Sequence, residues 1–161
     1  ALINPIQAPA MIFSGYQLII LGRKGVTLSS GMRTSCVVLD TYDVLTDQTN
    51  RIAIPRCITQ NVAIHANSNY LAVGDEAENS VYVYKKLSNG TFIQEDSLEF
   101  NNYDESSTDS GGRFGRSVYV DASGDIYAFA PYESMNTNRD GSLRRFKRIT
   151  TKATATSVDR K

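Results

Sequence analysis

The residues able to do chemistry are few in this chain and scattered. Its one histidine, His65, sits in the polar stretch "HANSN". A nucleophilic triad would have to use it as the base, and the local pattern puts no Ser or Cys beside it. His65 therefore reads as a turn residue. The stretch "GGRFGRS", residues 111–117, has the glycine content of a phosphate cradle. It leads into a strand pattern, however, and such cradles work through the N-terminus of a helix. No P-loop, GxSxG, HExxH or CxxC pattern occurs. The sequence accordingly predicts no enzyme, no catalytic residue and no cofactor.

Three further residues carry covalent possibilities. Cys36 and Cys57 are too few for a disulfide scaffold. Both lie beside apolar residues, in "SCVVL" and "RCI", which favours buried free thiols, with a single disulfide as the alternative. Asn89 opens the sequon "NGT" at the tip of an expected hairpin, an accessible place for a glycan in a secreted chain.

The elements that must position these residues are set by the bulk properties and by a repeat. At 161 residues the chain has the size of one ordinary domain. Seventeen basic residues balance seventeen acidic ones, so nothing points to nucleic acid as a partner. The charges are nevertheless segregated: residues 95–125 are mostly acidic, and the chain turns basic after Asp140. Segregation of this kind can steer one segment or subunit against another, but a solvated surface with a mobile basic tail is the expectation here. The longest apolar run, "QLIILG", is far below the ~20 residues of a membrane helix, so no membrane insertion is expected. A chain that starts at Ala1 points to processing or to a piece of a longer protein.

Residues 58–74, "ITQNVAIHANSNYLAVG", lie over 114–130, "FGRSVYVDASGDIYAFA", without gaps. Residues 6–22, "IQAPAMIFSGYQLIILG", lie over 58–74 in the same way. The result is a threefold repeat of roughly 50 residues, the spacing of propeller blades and similar arrays. "VAIHA" and "SVYVDA" alternate as half-buried strands do. "YLAVG" and "IYAFA" are uniformly apolar, as befits a central strand covered on both faces. Third strands follow as "TSCVVLD", "SVYVYKK" and "SLRRFKR". Fourth strands are expected in "DVLTDQTNRIAI", "TFIQEDSLEF" and "ITTKATATS". The predicted fold is all-β: three four-stranded antiparallel blades of a β-propeller or blade stack, with no helix. Blade 1 spans about 1–54, blade 2 about 55–100 and blade 3 about 113–161, with a polar linker at about 101–112 read as a flexible connector.

These residues resemble the FG-GAP repeat family, the blade type of integrin α-subunit heads. The closest match is "FGRSVYVDASGDIYAFAP", with a Phe-Gly pair at its start and Ala-Pro at its end. The middle repeat matches through "LAVGDEAENSVYVYKKLSNGTF", although Ile58-Thr59 replaces Phe-Gly; the first repeat keeps only "LIILG" and "TSCVVLD". Repeats of this family often hold calcium in a loop of alternating acidic residues. Here the matching turns offer Asp121 and Asp125 in one copy and no carboxylate in "HANSN", short of the six to eight oxygens calcium takes. No metal site is expected.

The resemblance implies a non-enzymatic protein–protein interaction, adhesion or assembly module, extracellular or at the cell surface. The alternatives are a carbohydrate-binding propeller and a non-catalytic accessory part of a larger secreted enzyme. Three blades are fewer than the four to eight that close a propeller. Other chains, a partner, further copies of the same chain or a missing remainder must then cover the open faces. Loops after the second strand of each repeat should emerge on one face. Their first residues, Arg23, Lys24, Asp75, Glu76, Tyr132 and Glu133, are the candidate partner contacts.

Overall fold

The computed structural model describes residues 11–99, 113–131 and 141–148. Eleven strands are present there and no α-helix. The first sheet holds β1 (Met11–Ser14), β2 (Gln17–Thr27), β3 (Arg33–Asp43) and β4 (Gln48–Ile52). The middle sheet holds β5 (Val62–Ala66), β6 (Tyr70–Asp75), β7 (Ser80–Lys86) and β8 (Phe92–Glu99). The last holds β9 (Ser117–Val120), β10 (Ile126–Ala130) and β11 (Ser142–Phe146). All neighbours are antiparallel and follow chain order, so each sheet is an up-and-down meander. The expected strand "ITTKATATS" and the linker 101–112 lie outside the described residues.

The all-β class and the three antiparallel sheets agree with the sequence pattern, but the gapless superposition of repeats does not survive in the register. It set Val73 on Phe129. In the sheets Val73 stands opposite Ile64, as Ile126 stands opposite Val120. The turns absorb the slip. Two residues, Gly15 and Tyr16, link Ser14 to its partner Gln17, and four link Ala66 to Leu71. Gly15 has φ 62°, a backbone that suits glycine at the first position of so tight a hairpin.

Alternation then decides which faces meet. On the first sheet Ile19, Leu21, Val37, Leu39 and Ile52 point one way, against Leu71, Val73, Tyr82 and Tyr84 of the middle sheet. On its other face the middle sheet presents Ala72, Val81 and Val83 to Val120, Ile126, Ala128 and Ala130 of the last. The middle sheet is thus covered on both sides, which is why "YLAVG" is apolar throughout. Packing between sheets is closest at the first strands: β1 lies along β5, and β5 and β6 lie along β9. The fourth strands β4 and β8 are mostly exposed.

The expectation of free thiols is overturned. Cys36 on β3 and Cys57 in the connector to the middle sheet form a disulfide, with Cα atoms 5.0 Å apart. The connector runs back beside β3, and the Val37 N–H donates to the Ile58 carbonyl at 2.8 Å. That bond brings the preceding pair of residues side by side.

Candidate interaction surface

Each sheet is joined to the one before it by the few residues that lead into its first strand. At the first seam these are Ile58, Thr59 and Gln60. Ile58 is buried in the apolar layer between the first and middle sheets. Arg23, on β2, donates to the carbonyls of Thr59 at 2.9 Å and Gln60 at 2.7 Å. At the tips of the first hairpins the Ser14 hydroxyl donates to the Asn67 carbonyl at 2.6 Å, and Lys86 Nζ to the Ser14 carbonyl at 2.8 Å.

The second seam uses the Phe-Gly pair. Phe114 is 0 % exposed and packs among Ala72, Val81, Val83 and Val120, with the Phe146 ring 5.8 Å away. Its N–H donates to Asn79 Oδ1 at 3.1 Å. Gly115 follows with φ 88° and lies directly on Gly74: a Cβ on Gly74 would stand 2.0 Å from the Gly115 carbonyl oxygen. Both glycines are therefore required by the close approach of two backbones. Arg116 then donates to both carboxylate oxygens of Glu76, at 3.1 and 2.8 Å. Farther along, the Val120 N–H donates to His65 Nδ1 at 3.1 Å, and the His65 and Tyr119 rings lie 4.4 Å apart. Asn67 Nδ2 donates to the Asp121 carbonyl at 2.6 Å.

Two titratable groups lie at this seam, one buried and one half-buried. Asp75 ends β6 at 0 % exposure, with Arg56 Nε 3.7 Å from its Oδ2. Loss of water raises its carboxyl above the ordinary value, and Arg56 only partly opposes that. His65, half-buried, is shifted the other way: burial lowers its imidazole.

The six candidate contact residues divide accordingly. Arg23 and Lys24 are not in a loop, because β2 continues to Thr27 and its turn comes at 28–32. Asp75 and Glu76 are buried and engaged by Arg56 and Arg116. Arg23 midway along β2, and Asp75 and Glu76 at the end of β6, all stand beside the next lead-in, but the groups they meet belong to this chain. Tyr132 and Glu133 lie outside the described residues. Asn89 is exposed at the tip of the β7–β8 hairpin, where its Oδ1 accepts from the Thr91 N–H at 3.0 Å.

The charge segregation has a structural use as well. Arg145 grips Asp125 at 2.6 Å, and Arg148 pairs with Glu95 while its guanidinium lies 4.0 Å over the Tyr70 ring. Arg148 thus clamps the last sheet to the acidic middle one, while Arg145 ties β11 to the residue before β10 within the last sheet. Beside them a cleft of about 640 Å³ opens between β8 and β11, over Val83, Leu98, Ile126 and Phe146. In the "DASGD" turn, Asp121 Oδ1 closes its own loop by accepting from the Ser123 and Asp125 amides at 2.9 and 3.0 Å and the Ser123 hydroxyl at 2.6 Å. Among the described residues no cluster of three or more His, Cys, Asp or Glu is arranged to hold a metal ion.

Sequence reasoning missed the lead-in role of Ile58 and Arg116, and the apolar outer faces of the first and last sheets. Alternation along β1 and β2 carried the signal for the latter: Met11 and Phe13 share a face with Leu18 and Ile20. No known protein family, characterised protein or solved structure matches this chain.

Proposed function

We propose that this chain is a non-enzymatic interaction module, a run of FG-GAP-like propeller blades that works outside the cell or at its surface through recognition of protein. The observation that carries the reading is the repeated seam. The middle and last sheets are each received by the face of the preceding sheet, through a buried Ile58 or Phe114 and a charged residue on or just after the neighbour's second strand. An array made this way displays edges and loops in series, which suits protein recognition. The Phe114-Gly115 pair supports the family likeness, since both residues have a packing reason to be where they are. The Cys36–Cys57 disulfide supports an oxidising compartment.

Carbohydrate binding is the weaker reading. Among the described residues the most exposed aromatic rings, Phe13, Tyr16 and Tyr119, fall at three different positions of the repeat, and the Tyr70 face is already taken by Arg148. The test places photo-cross-linking residues at Met32 and Leu45, both exposed in turns of the first sheet, and adds the protein to intact source cells. Discrete protein adducts that unlabelled chain competes away are expected. Absence of protein adducts, together with saturable binding on a glycan array, would replace this reading by the carbohydrate one.

A further inference from the structure

Asn89 opens the only Asn-x-Ser/Thr sequence in the chain. It sits in the β7–β8 turn, where the Gly90 N–H donates to the Leu87 carbonyl at 2.9 Å and the Leu87 N–H to the Thr91 carbonyl at 2.8 Å. Those two bonds close a three-residue loop whose last residue must be left-handed, and Gly90 has φ 82°. The inner side of the loop is pressed on the first sheet: a Cβ on Gly90 would stand 2.5 Å from Gln17 Nε2. Asn89 and Thr91 are both exposed. Turn chemistry accounts for Asn89 and Gly90, but it does not call for a hydroxyl at position 91. A neighbouring turn shows what a purely structural asparagine does. Asn67 Oδ1 accepts from the Asn69 and Tyr70 amides, each at 2.8 Å, and its Nδ2 donates to the Asp121 carbonyl at 2.6 Å. Asn89 Oδ1 likewise accepts from the Thr91 N–H, but among the described residues its Nδ2 and the Thr91 hydroxyl have no partner.

We propose that Asn89 is a modification site and carries an N-linked oligosaccharide on Nδ2. The inference rests on the extracellular reading above and adds the modification that a chain on that route receives. Three observations favour it. The carboxamide nitrogen and the hydroxyl two residues on, which define an acceptor sequence, are open to solvent and spent on nothing else. The residue between them has no side chain to hinder approach. The Cys36–Cys57 disulfide favours the oxidising route on which such transfer takes place. In the transfer Nδ2 attacks the anomeric carbon of an oligosaccharide held on a lipid diphosphate. The C–N bond forms, the anomeric C–O bond breaks and the diphosphate leaves with the electron pair. The amide proton passes to a base of the transferring enzyme, and nothing is oxidised or reduced. The turn stands at the same end of the stack as the β5–β6 turn, since the Lys86 N–H donates to the Asn69 carbonyl at 2.7 Å. A glycan there leaves the opposite end, with the turns at 28–32 and 76–79, clear for protein.

The test isolates the chain from its source, treats it with peptide N-glycosidase in heavy-oxygen water and reads the peptide that spans position 89 by mass spectrometry. The expected result is loss of a whole oligosaccharide and a heavy-oxygen aspartate at that position. An untreated sample in the same water excludes spontaneous deamidation of the Asn-Gly pair. Protease accessibility on intact cells, with the medium assayed beside them, reads where the chain is. A chain outside the cell with Asn89 unmodified overturns the glycan and leaves the interaction-module reading to stand on its own test. A chain found only inside and unmodified overturns both the glycan and the extracellular part of that reading. A second arm secretes the chain from eukaryotic cells behind a signal peptide, as wild type, Thr91→Ala and Thr91→Ser. Thr91 is exposed, so all three should melt alike. Thr91→Ala should lose the glycan with Asn89 still in place, and Thr91→Ser should keep it. A glycan that survives Thr91→Ala, or a wild type that acquires none, overturns the assignment.

Discussion

The two seams solve one problem by different means. Both must fasten the lead-in of a new sheet to the sheet before it. The first does so covalently: Cys36–Cys57 pins the connector to β3, and Arg23 needs only backbone carbonyls beyond it. The second has no covalent tie among the described residues. It relies on a buried ring, on backbone-to-backbone approach at Gly74 and Gly115, and on an Arg116–Glu76 pair. A cross-link tolerates loose side-chain packing because it acts mainly on the unfolded chain. A packed seam does not, since every missing methylene leaves a void. The second seam should therefore be the more sensitive to point substitution and the first to reduction.

The largest effect is expected at Phe114. Replacement by alanine empties the layer between the middle and last sheets and should cost about 3–5 kcal/mol. Gly74→Ala attacks the same seam from the other side by forcing Gly115 away, at about 3 kcal/mol. Urea titration measures both. The comparison breaks if Ile58→Ala, its counterpart in the first seam, proves as damaging with the disulfide intact as Phe114→Ala is.

Next comes the cross-link itself. Cys36 and Cys57 enclose a loop of 21 residues in sequence separation, and closure of a loop that size is worth about 3 kcal/mol. The double variant Cys36→Ser, Cys57→Ser should lose that much in urea. Hydrogen exchange should show the loss at β3 and the connector, with β9 and β10 scarcely changed. Equal loss in the last sheet would mean that the two seams are one cooperative unit.

A smaller effect follows from Arg116→Ala. It strands a nearly buried Glu76 carboxylate, at about 1–3 kcal/mol. Glu76→Gln in the same chain should return part of that, because a neutral amide tolerates the site better. If Arg116→Ala alone is silent, the pair does not hold the seam.

Much of this architecture was legible, and the reasons it stopped being legible are physical. Alternation in "VAIHA" and the unbroken apolar run in "YLAVG" report one covered face and two, and the stack honours both. The Phe-Gly pair was visible as a motif, yet its use was not, because Gly74 and Gly115 meet only once two sheets have stacked. "DEAEN" looks exposed because isolated acidic residues almost always are. Asp75 and Glu76 are buried only because Arg56 and Arg116 arrive from elsewhere in the chain. By sequence Arg23 and Lys24 look like loop residues after Gly22. Nothing there breaks a strand, however, and β3 runs alongside as far as Arg33, so the turn waits for Gly31, with φ 81°. A pairing such as Cys36 with Cys57 depends on a distance, which spacing along the chain does not contain.

The smallest effect sharpens the comparison in the second seam alone. His65 Nδ1 accepts the Val120 N–H across the first strands, so the seam holds its imidazole neutral. Protonation would set a donor against a donor, and burial already lowers the group below its ordinary value of 6.5. Below that value the unfolded chain binds a proton that the folded chain resists. The stability due to neutral His65 is thus fully present above pH 6.5 and is lost as pH falls through the lowered folded value. Asp75 acts in the opposite sense: its raised carboxyl takes up a proton more readily when folded, so acid relieves the cost of burying it. The His65 contribution is the difference between the wild type and a variant without the imidazole, taken between about pH 7 and pH 5.5. His65→Gln keeps an acceptor for the Val120 amide and removes the titration, so over that interval the wild-type urea midpoint should decline relative to that of the variant. Parallel declines in the two proteins would show that this contact does not carry the acid sensitivity of the seam.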